Sequence, residues 1–348
     1  MIRNLFSLAT QAMTGFFTGL FMVVSVVAGL FFYQNYWEEW KDLPIVAGLT
    51  DTYLEGLNTL EYLGGEGLQH FYQMNMAQDT RLEIRSNQTY PPGKYINQLP
   101  TDHPIVIQSS WEAADILKKL KDKGFSKGKL RAAKKFTDYI EAHKSMALYE
   151  MLESKILAST KLAQAILESQ AGNSKLARAT KNQFGIKALP SKRARKKIKR
   201  KAFDELSNDE FIHRAPAVSS YNFHDDHRYD RFEVYRSVSD SYSRHTQLLS
   251  QPCKMGKKGC YEWIWKEFPV GTYCDISKAA KLYQPSSHIA PEDFFDGNTK
   301  IPYYAACAAG LKMAGYATSP TYHKKIAYII DTYELWRFDV DLINSVMK

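Results

Sequence analysis

The stretch 161–187, reading KLAQAILESQAGNSKLARATKNQFGIK, holds the residues best suited to chemistry. If it opens as a helix, Lys161, Gln164 and Glu168 share one face, because side chains three, four and seven apart stack together. Leu162, Ala165, Ile166 and Ser169 fall on another face and can pack inward. Glu168 then sits in the last turn of a helix with one buried flank. The negative end of the helix dipole and partial burial both disfavour an ionised carboxyl, so its pKa is expected to rise. A carboxyl that keeps its proton near neutral pH suits a general acid, which must hand that proton to a leaving oxygen. A second polar group, His224-Asp225-Asp226-His227, has the residue types of a Ca²⁺ or Zn²⁺ site. Four polar residues on a turn are better explained by solvation, and neither a metal nor another cofactor is expected.

Helical patterns must position these groups. Residues 111–121 place Ala114, Ile116, Leu117 and Leu120 on one side, with Gly124 as a stop. Residues 130–153 form a long amphipathic segment with Phe136, Ile140, Met146, Leu148 and Met151 as its core face. A third helix is expected from Ser159, read as its N-cap, to Ser169, with Gly172 ending it. A short helix at 174–179 and an apolar turn at 184–186 follow. The fold class is mainly α (α+β), with small β pieces and no glycine-rich dinucleotide fingerprint. Upstream, residues 41–128 read as a membrane-proximal support region without chemistry.

Five ordered blocks resemble the glucosaminidase family, glycoside hydrolase family 73. They are Ala163-Gln164-Ala165-Ile166-Leu167-Glu168-Ser169, Gly172-Asn173-Ser174 with Asn182 and Phe184-Gly185-Ile186-Lys187, and Phe223-His224-Asp225-Asp226-His227. Phe232-Glu233-Val234-Tyr235-Arg236-Ser237, with Ser241 and His245 after it, is similar to the family's Phe-Arg-x-Tyr-x-Ser segment. Gly310-Leu311-Lys312 with Ala314-Gly315-Tyr316-Ala317-Thr318, Pro320 and Tyr322 is similar to its Gly-Tyr-Ala-Thr closing motif. The resemblance implies a lysozyme-like helical domain with a small β-hairpin over residues 129–348. The implied activity is hydrolysis of the β-1,4 glycosidic bonds of bacterial peptidoglycan, as an endo-β-N-acetylglucosaminidase. It further implies Glu168 as catalytic acid and Tyr316 as an active-site phenol, with Gln164, Phe184, His224 and Tyr235 contacting substrate. Many relatives carry a second glutamate on a hairpin; here that interval offers Asp225 or Asp226 as the assisting group. Whether it activates water or orients the sugar's N-acetyl oxygen stays open. Segments at about 190–216 and 251–301 interrupt the family pattern.

The chain has 348 residues, 45% of them hydrophobic, and a net charge of +9, which excludes wholesale disorder. Eight of the ten residues from Lys192 to Lys201 are basic; setting those eight aside leaves +1. The basicity therefore belongs to one inserted segment, and nucleic acid is not the expected partner. The four cysteines, Cys253, Cys260, Cys274 and Cys307, contain no Cys-x-x-Cys pair, against a zinc ribbon or redox motif. The Cys253–Cys260 loop is the easiest disulfide closure, with free thiols as the other reading. Residues 15–33 are uncharged and apolar, long enough as a helix to span about 28 Å. Tyr33, Tyr36, Trp37 and Trp40 follow as an aromatic belt. An uncleaved inner-membrane anchor over residues 1–40 is expected, with the catalytic domain in the periplasm; a signal peptide cleaved near Val27-Ala28-Gly29 is the rival. The expected partners are peptidoglycan glycan strands and the membrane. The alternative to an enzyme is a degenerate domain held among the protein partners of an envelope-spanning machine.

Overall fold

The computed structural model describes residues 109–346, apart from His224 and Asp226. The expected anchor at 15–33 and the support region up to residue 108 lie outside the described residues, as do His224 and Asp226. Among the described residues no helix is long and apolar enough to cross a membrane.

Helices dominate. Helix α1 (Ala113–Asp122) buries Ile116 and Leu120 against α2 (Lys127–Ser154), whose N-terminus is capped by Ser126 accepting from the Lys129 amide. Helix α3 (Ala158–Ser169) follows after Lys155, which takes a left-handed conformation to end α2. Every residue of α3 is buried except Leu167 and Glu168. Ser159 is not its N-cap, contrary to the sequence expectation. Leu157 occupies that position, and the free amide of Ser159 is bonded instead by Asp339, 180 positions away, at 2.9 Å. Helix α4 (Lys175–Thr180) is capped by Ser174.

Three two-stranded antiparallel sheets interrupt the helices. Strands β1 (Leu189–Pro190) and β2 (Phe211–Ile212) enclose α5 (Lys192–Lys199), the basic segment. A satellite core of Ala188, Ala194 and Phe211 seats α5, while Lys197 and Arg193 both reach Glu210. Strands β3 (Ser219–Asn222) and β4 (Arg231–Val234) form the central hairpin, with Tyr221 opposite Phe232. Helix α6 (Val238–Leu249) opens on a capping box between Ser237 and Asp240.

Next come α7 (Ile264–Glu267), β5 (Tyr273–Asp275), α8 (Ser277–Ser287) and β6 (Lys300–Pro302), which pairs with β5. Helices α9 (Tyr303–Met313), α10 (Tyr322–Thr332) and α11 (Trp336–Val346) complete the fold. Helix α9 is buried on all sides, which its alanine-rich sequence allows because small residues let neighbours approach. At Gly310 a Cβ would stand 2.9 Å from Ile264 Cγ1, so only glycine fits where α9 meets α7.

Residues before 129 pack onto the helical core. Trp111 is 1% exposed, lies tilted against Phe338 with ring centroids 5.3 Å apart and donates its indole N–H to the Tyr333 carbonyl at 2.6 Å. The amide and hydroxyl of Ser110 both donate to Asp341. Residues 109–122 thus belong to the core that α10 and α11 build.

Candidate active site

A cleft of about 740 Å³ opens where α3, α6 and α10 meet the turns between the sheets. Glu168 enters it from the C-terminal turn of α3, beside the Gly185 turn. That turn is folded by Asn182, whose Oδ1 accepts from the Phe184 and Ile186 amides. Its Nδ2 donates to the carbonyls of Ile186 and Glu233, tying the turn to β4. Gly185 has φ +62°, a left-handed geometry that glycine adopts without strain, and a Cβ there would lie 3.8 Å from Glu168 Oε2.

The expected face of Lys161, Gln164 and Glu168 exists, but helices cover its first two members. Lys161 is fully buried, its ammonium bonded to Glu150, the Tyr242 carbonyl and the Thr246 hydroxyl. Burial lowers its pKa to about 8. Gln164 is also fully buried and donates to the Tyr322 hydroxyl at 2.9 Å, so it positions that phenol instead of facing the cleft. Tyr322 in turn bonds the Glu168 carboxyl. Burial raises the Glu168 pKa to about 7. The Tyr322 hydrogen bond opposes the rise, the Asp225 charge adds to it, and Lys325 opposes it.

Tyr316 lies on the cleft wall, and its hydroxyl meets His245 Nε2 at 3.1 Å. Burial, and then the neighbouring Glu168 charge, hold its phenol well above the ordinary value of 10.0, so the phenol keeps its proton. His245 is fully buried, and its desolvation keeps the ring neutral. Phe184 stacks on that ring at 3.8 Å between centroids and 3° between planes. At 3% exposure it borders the cleft as a packed wall against His245 and offers no open platform for a sugar. Asp225 lines the cleft with its side chain 49% exposed and pairs with Lys187 at 2.9 Å. Tyr235 is buried and away from the cleft lining; its hydroxyl donates to Glu233 Oε2 at 2.7 Å. His224 and Asp226 lie outside the described residues. Among the described residues no cluster of ligand-type side chains could hold a metal ion.

Two groups in this site are not singled out by the sequence. Tyr322 stands there only as part of a closing motif, yet it touches the central carboxyl. Glu233 on β4 lines the cleft at 1% exposure, paired with Arg244 of α6 at 3.0 Å and accepting the Arg214 amide. The available signal is its position: a glutamate stands where the resembled segment has arginine, and an arginine lies eleven residues on. Both inserted segments reach the cleft. Leu189, Ile212 and Arg214 border it from one side and Gln251 and Tyr261 from the other. Cys253 and Cys260 are disulfide-bonded, while Cys274 and Cys307 are free and buried. The disulfide loop backs the Tyr316 turn, since the Gly259 amide donates to the Ala314 carbonyl at 2.7 Å.

The chain is 26% identical over 213 residues to the exo-glucosaminidase LytG of Bacillus subtilis (strain 168), covering 61% of this chain and 55% of that protein. It thus spans about half the length of that relative. Among solved structures, an N-acetylmuramoyl-L-alanine amidase from Staphylococcus aureus is similar at 21% identity, with 59% of this chain and 43% of that chain covered and a TM-score of 0.34. The catalytic domain of the autolysin Auto from Listeria monocytogenes is similar at 17% identity, with 67% and 100% covered and a TM-score of 0.34. The model of the glucosaminidase family, described as mannosyl-glycoprotein endo-beta-N-acetylglucosaminidase, matches residues 144–335, more than half of the sequence. The chain belongs to the glucosaminidase family.

Proposed function

We propose that this protein hydrolyses β-1,4 glycosidic bonds of peptidoglycan glycan strands, with Glu168 as the general acid. The observation that carries the reading is Glu168 itself: a cleft carboxyl beside Asp225 and Tyr322, its pKa raised to about 7. Such a group holds a proton at neutral pH and can release it to a departing oxygen without a strong acid being present. Proton transfer to the glycosidic oxygen breaks the bond to the anomeric carbon, which develops oxocarbenium character. Water completes the reaction, adding hydroxide to that carbon and returning a proton to the site. Tyr316, protonated and braced by His245, can donate a hydrogen bond to the N-acetyl carbonyl. Asp225, held by Lys187, is the described carboxylate able to assist the water or the N-acetyl group.

Family membership supports a lysozyme-like reading of the helical domain. The family description names an endo activity and the B. subtilis relative an exo activity, so the position of cleavage along a strand remains part of the proposal. The apolar run at 15–33 supports a single-pass inner-membrane anchor with the domain on the periplasmic side. Glu168 and Tyr316 sharing one cleft argue against a degenerate domain serving only protein partners.

The test is mass spectrometry of purified sacculi after digestion, because the new reducing-end sugar identifies the bond cut. Wild-type protein is expected to release fragments ending in N-acetylglucosamine. Glu168→Gln, folded but unable to donate the proton, is expected to slow release at least a hundredfold. Undiminished turnover in that variant would remove Glu168 from the chemistry.

A further inference from the structure

The wall of the cleft formed by β2, the turn after it, β4 and α6 holds more cationic than anionic groups. Glu233 and Arg244 form a buried ion pair there, with Arg244 5% exposed and its Nε and Nη2 directed to the carboxylate. The third nitrogen, Nη1, is buried without a hydrogen-bond partner. A buried guanidinium N–H normally finds an acceptor, since leaving it unpaired costs free energy comparable to a lost hydrogen bond. Arg214 adjoins this pair, because its own backbone amide donates to Glu233 Oε1 at 3.1 Å. Arg214 lines the same cleft, is exposed, and forms no ion pair with any described carboxylate. Glu233 thus pairs with the Arg244 guanidinium alone, leaving the Arg214 charge uncompensated and an orphaned donor on Arg244 beside it.

Beside them stand Leu189 and Ile212, 50% and 55% exposed, on paired strands that line the same cleft. Exposed aliphatic side chains bordering a polar cleft suit the C–H faces of a sugar ring, while guanidiniums suit carboxylates. We propose that Arg214 and Arg244, with Leu189 and Ile212, form a subsite for a carboxylate-bearing amino sugar, so that the cleft selects acidic glycan over neutral glycan. This inference rests on the hydrolytic reading above and names what part of the substrate the cleft reads. Two sources share the chemistry: the lactyl carboxylate of a strand stripped of peptide, and the free carboxylates of an attached peptide.

Binding separates these sources and stands apart from turnover. The full chain carrying Glu168→Gln, in neutral detergent, is titrated with three soluble tetrasaccharides: peptide-bearing, peptide-stripped, and the neutral oligomer of N-acetylglucosamine. At least one acidic ligand is expected to bind about tenfold tighter than the neutral one, and whichever does so identifies the source. Adding Arg214→Gln, an exposed position that tolerates change, is expected to erase that preference, and Arg214→Lys to keep part of it. Equal affinities for all three ligands, no binding of any, or a preference that survives Arg214→Gln would overturn the subsite. If wild-type protein releases nothing from sacculi while the ranking holds, the hydrolytic reading fails and the acidic-glycan site stands. Hydrolysis with a flat ranking removes the subsite and leaves the hydrolytic reading in place.

Discussion

At the scale of single residues, the site is a relay that ends on one proton. Gln164 donates to Tyr322, and Tyr322 bonds Glu168, so a buried amide fixes the phenol that touches the cleft carboxyl. The Tyr322 hydroxyl favours the ionised form of Glu168 because it donates to the carboxylate, and it therefore acts against the rise caused by burial. Removing that donor must push the Glu168 pKa above its present value of about 7. A general acid works only while protonated, so activity falls as pH rises through its pKa. Tyr322→Phe is accordingly expected to move the alkaline limb of the kcat/KM profile to higher pH, by on the order of one unit. A limb that stays in place or moves down would mean that Tyr322 does not set the proton affinity of the acid. Glu168 and Tyr316 are legible in sequence because each lies within a local motif. Glu233 with Arg244 is less so, since an ion pair eleven residues apart becomes visible only when a strand and a helix face each other.

At the scale of elements, α3 explains both what sequence periodicity reveals and where it stops. The spacing of apolar residues locates the helix and the place of Glu168 at its end. It cannot reveal that α2, α9, α10 and α11 surround the helix, which is why Gln164 is a packed residue and not a cleft residue. Nor can it show that the N-terminal cap comes from α11. Asp339 accepts from the Ser159 amide, the Ser159 hydroxyl and the Tyr303 hydroxyl, joining α3, α9 and α11 through one buried carboxyl. Asp339→Ala would leave the Ser159 amide and hydroxyl buried without an acceptor and the Tyr303 hydroxyl with only the Trp336 carbonyl, at 3.3 Å. Each orphaned donor costs about 1–3 kcal/mol, so a net loss of about 3–5 kcal/mol is expected in urea unfolding after partial relaxation. Asp339→Asn keeps the shape and one acceptor, and is expected to lose less than half as much. A loss below about 0.5 kcal/mol for the alanine variant would show that water or a shifted side chain replaces the cap.

At the scale of the whole molecule, the cooperative unit is larger than the segment its family shares. The family match covers 144–335, yet the structure closes its core with residues on both sides of that span. Lys119 pairs with Glu334 at 3.1 Å, Arg337 donates to the Ser110 carbonyl, and Trp111 lies against Phe338. Residues 110–119 therefore clasp α11 and the turn before it across the ends of the domain, and α11 is the helix that caps α3. If this clasp is part of the frame that holds Glu168, weakening it must lower the stability of the entire domain and not merely fray one end. Trp111→Ala removes a large side chain that is 1% exposed, together with its hydrogen bond to the Tyr333 carbonyl. Truncations of this kind cost about 3–5 kcal/mol where the cavity cannot collapse. The expected result is a single unfolding transition at lower urea with unchanged slope, followed both by far-ultraviolet circular dichroism and by fluorescence of the remaining tryptophans. Two separated transitions, or a midpoint like that of the wild type, would show that residues 109–122 are an appendage on an independently stable core.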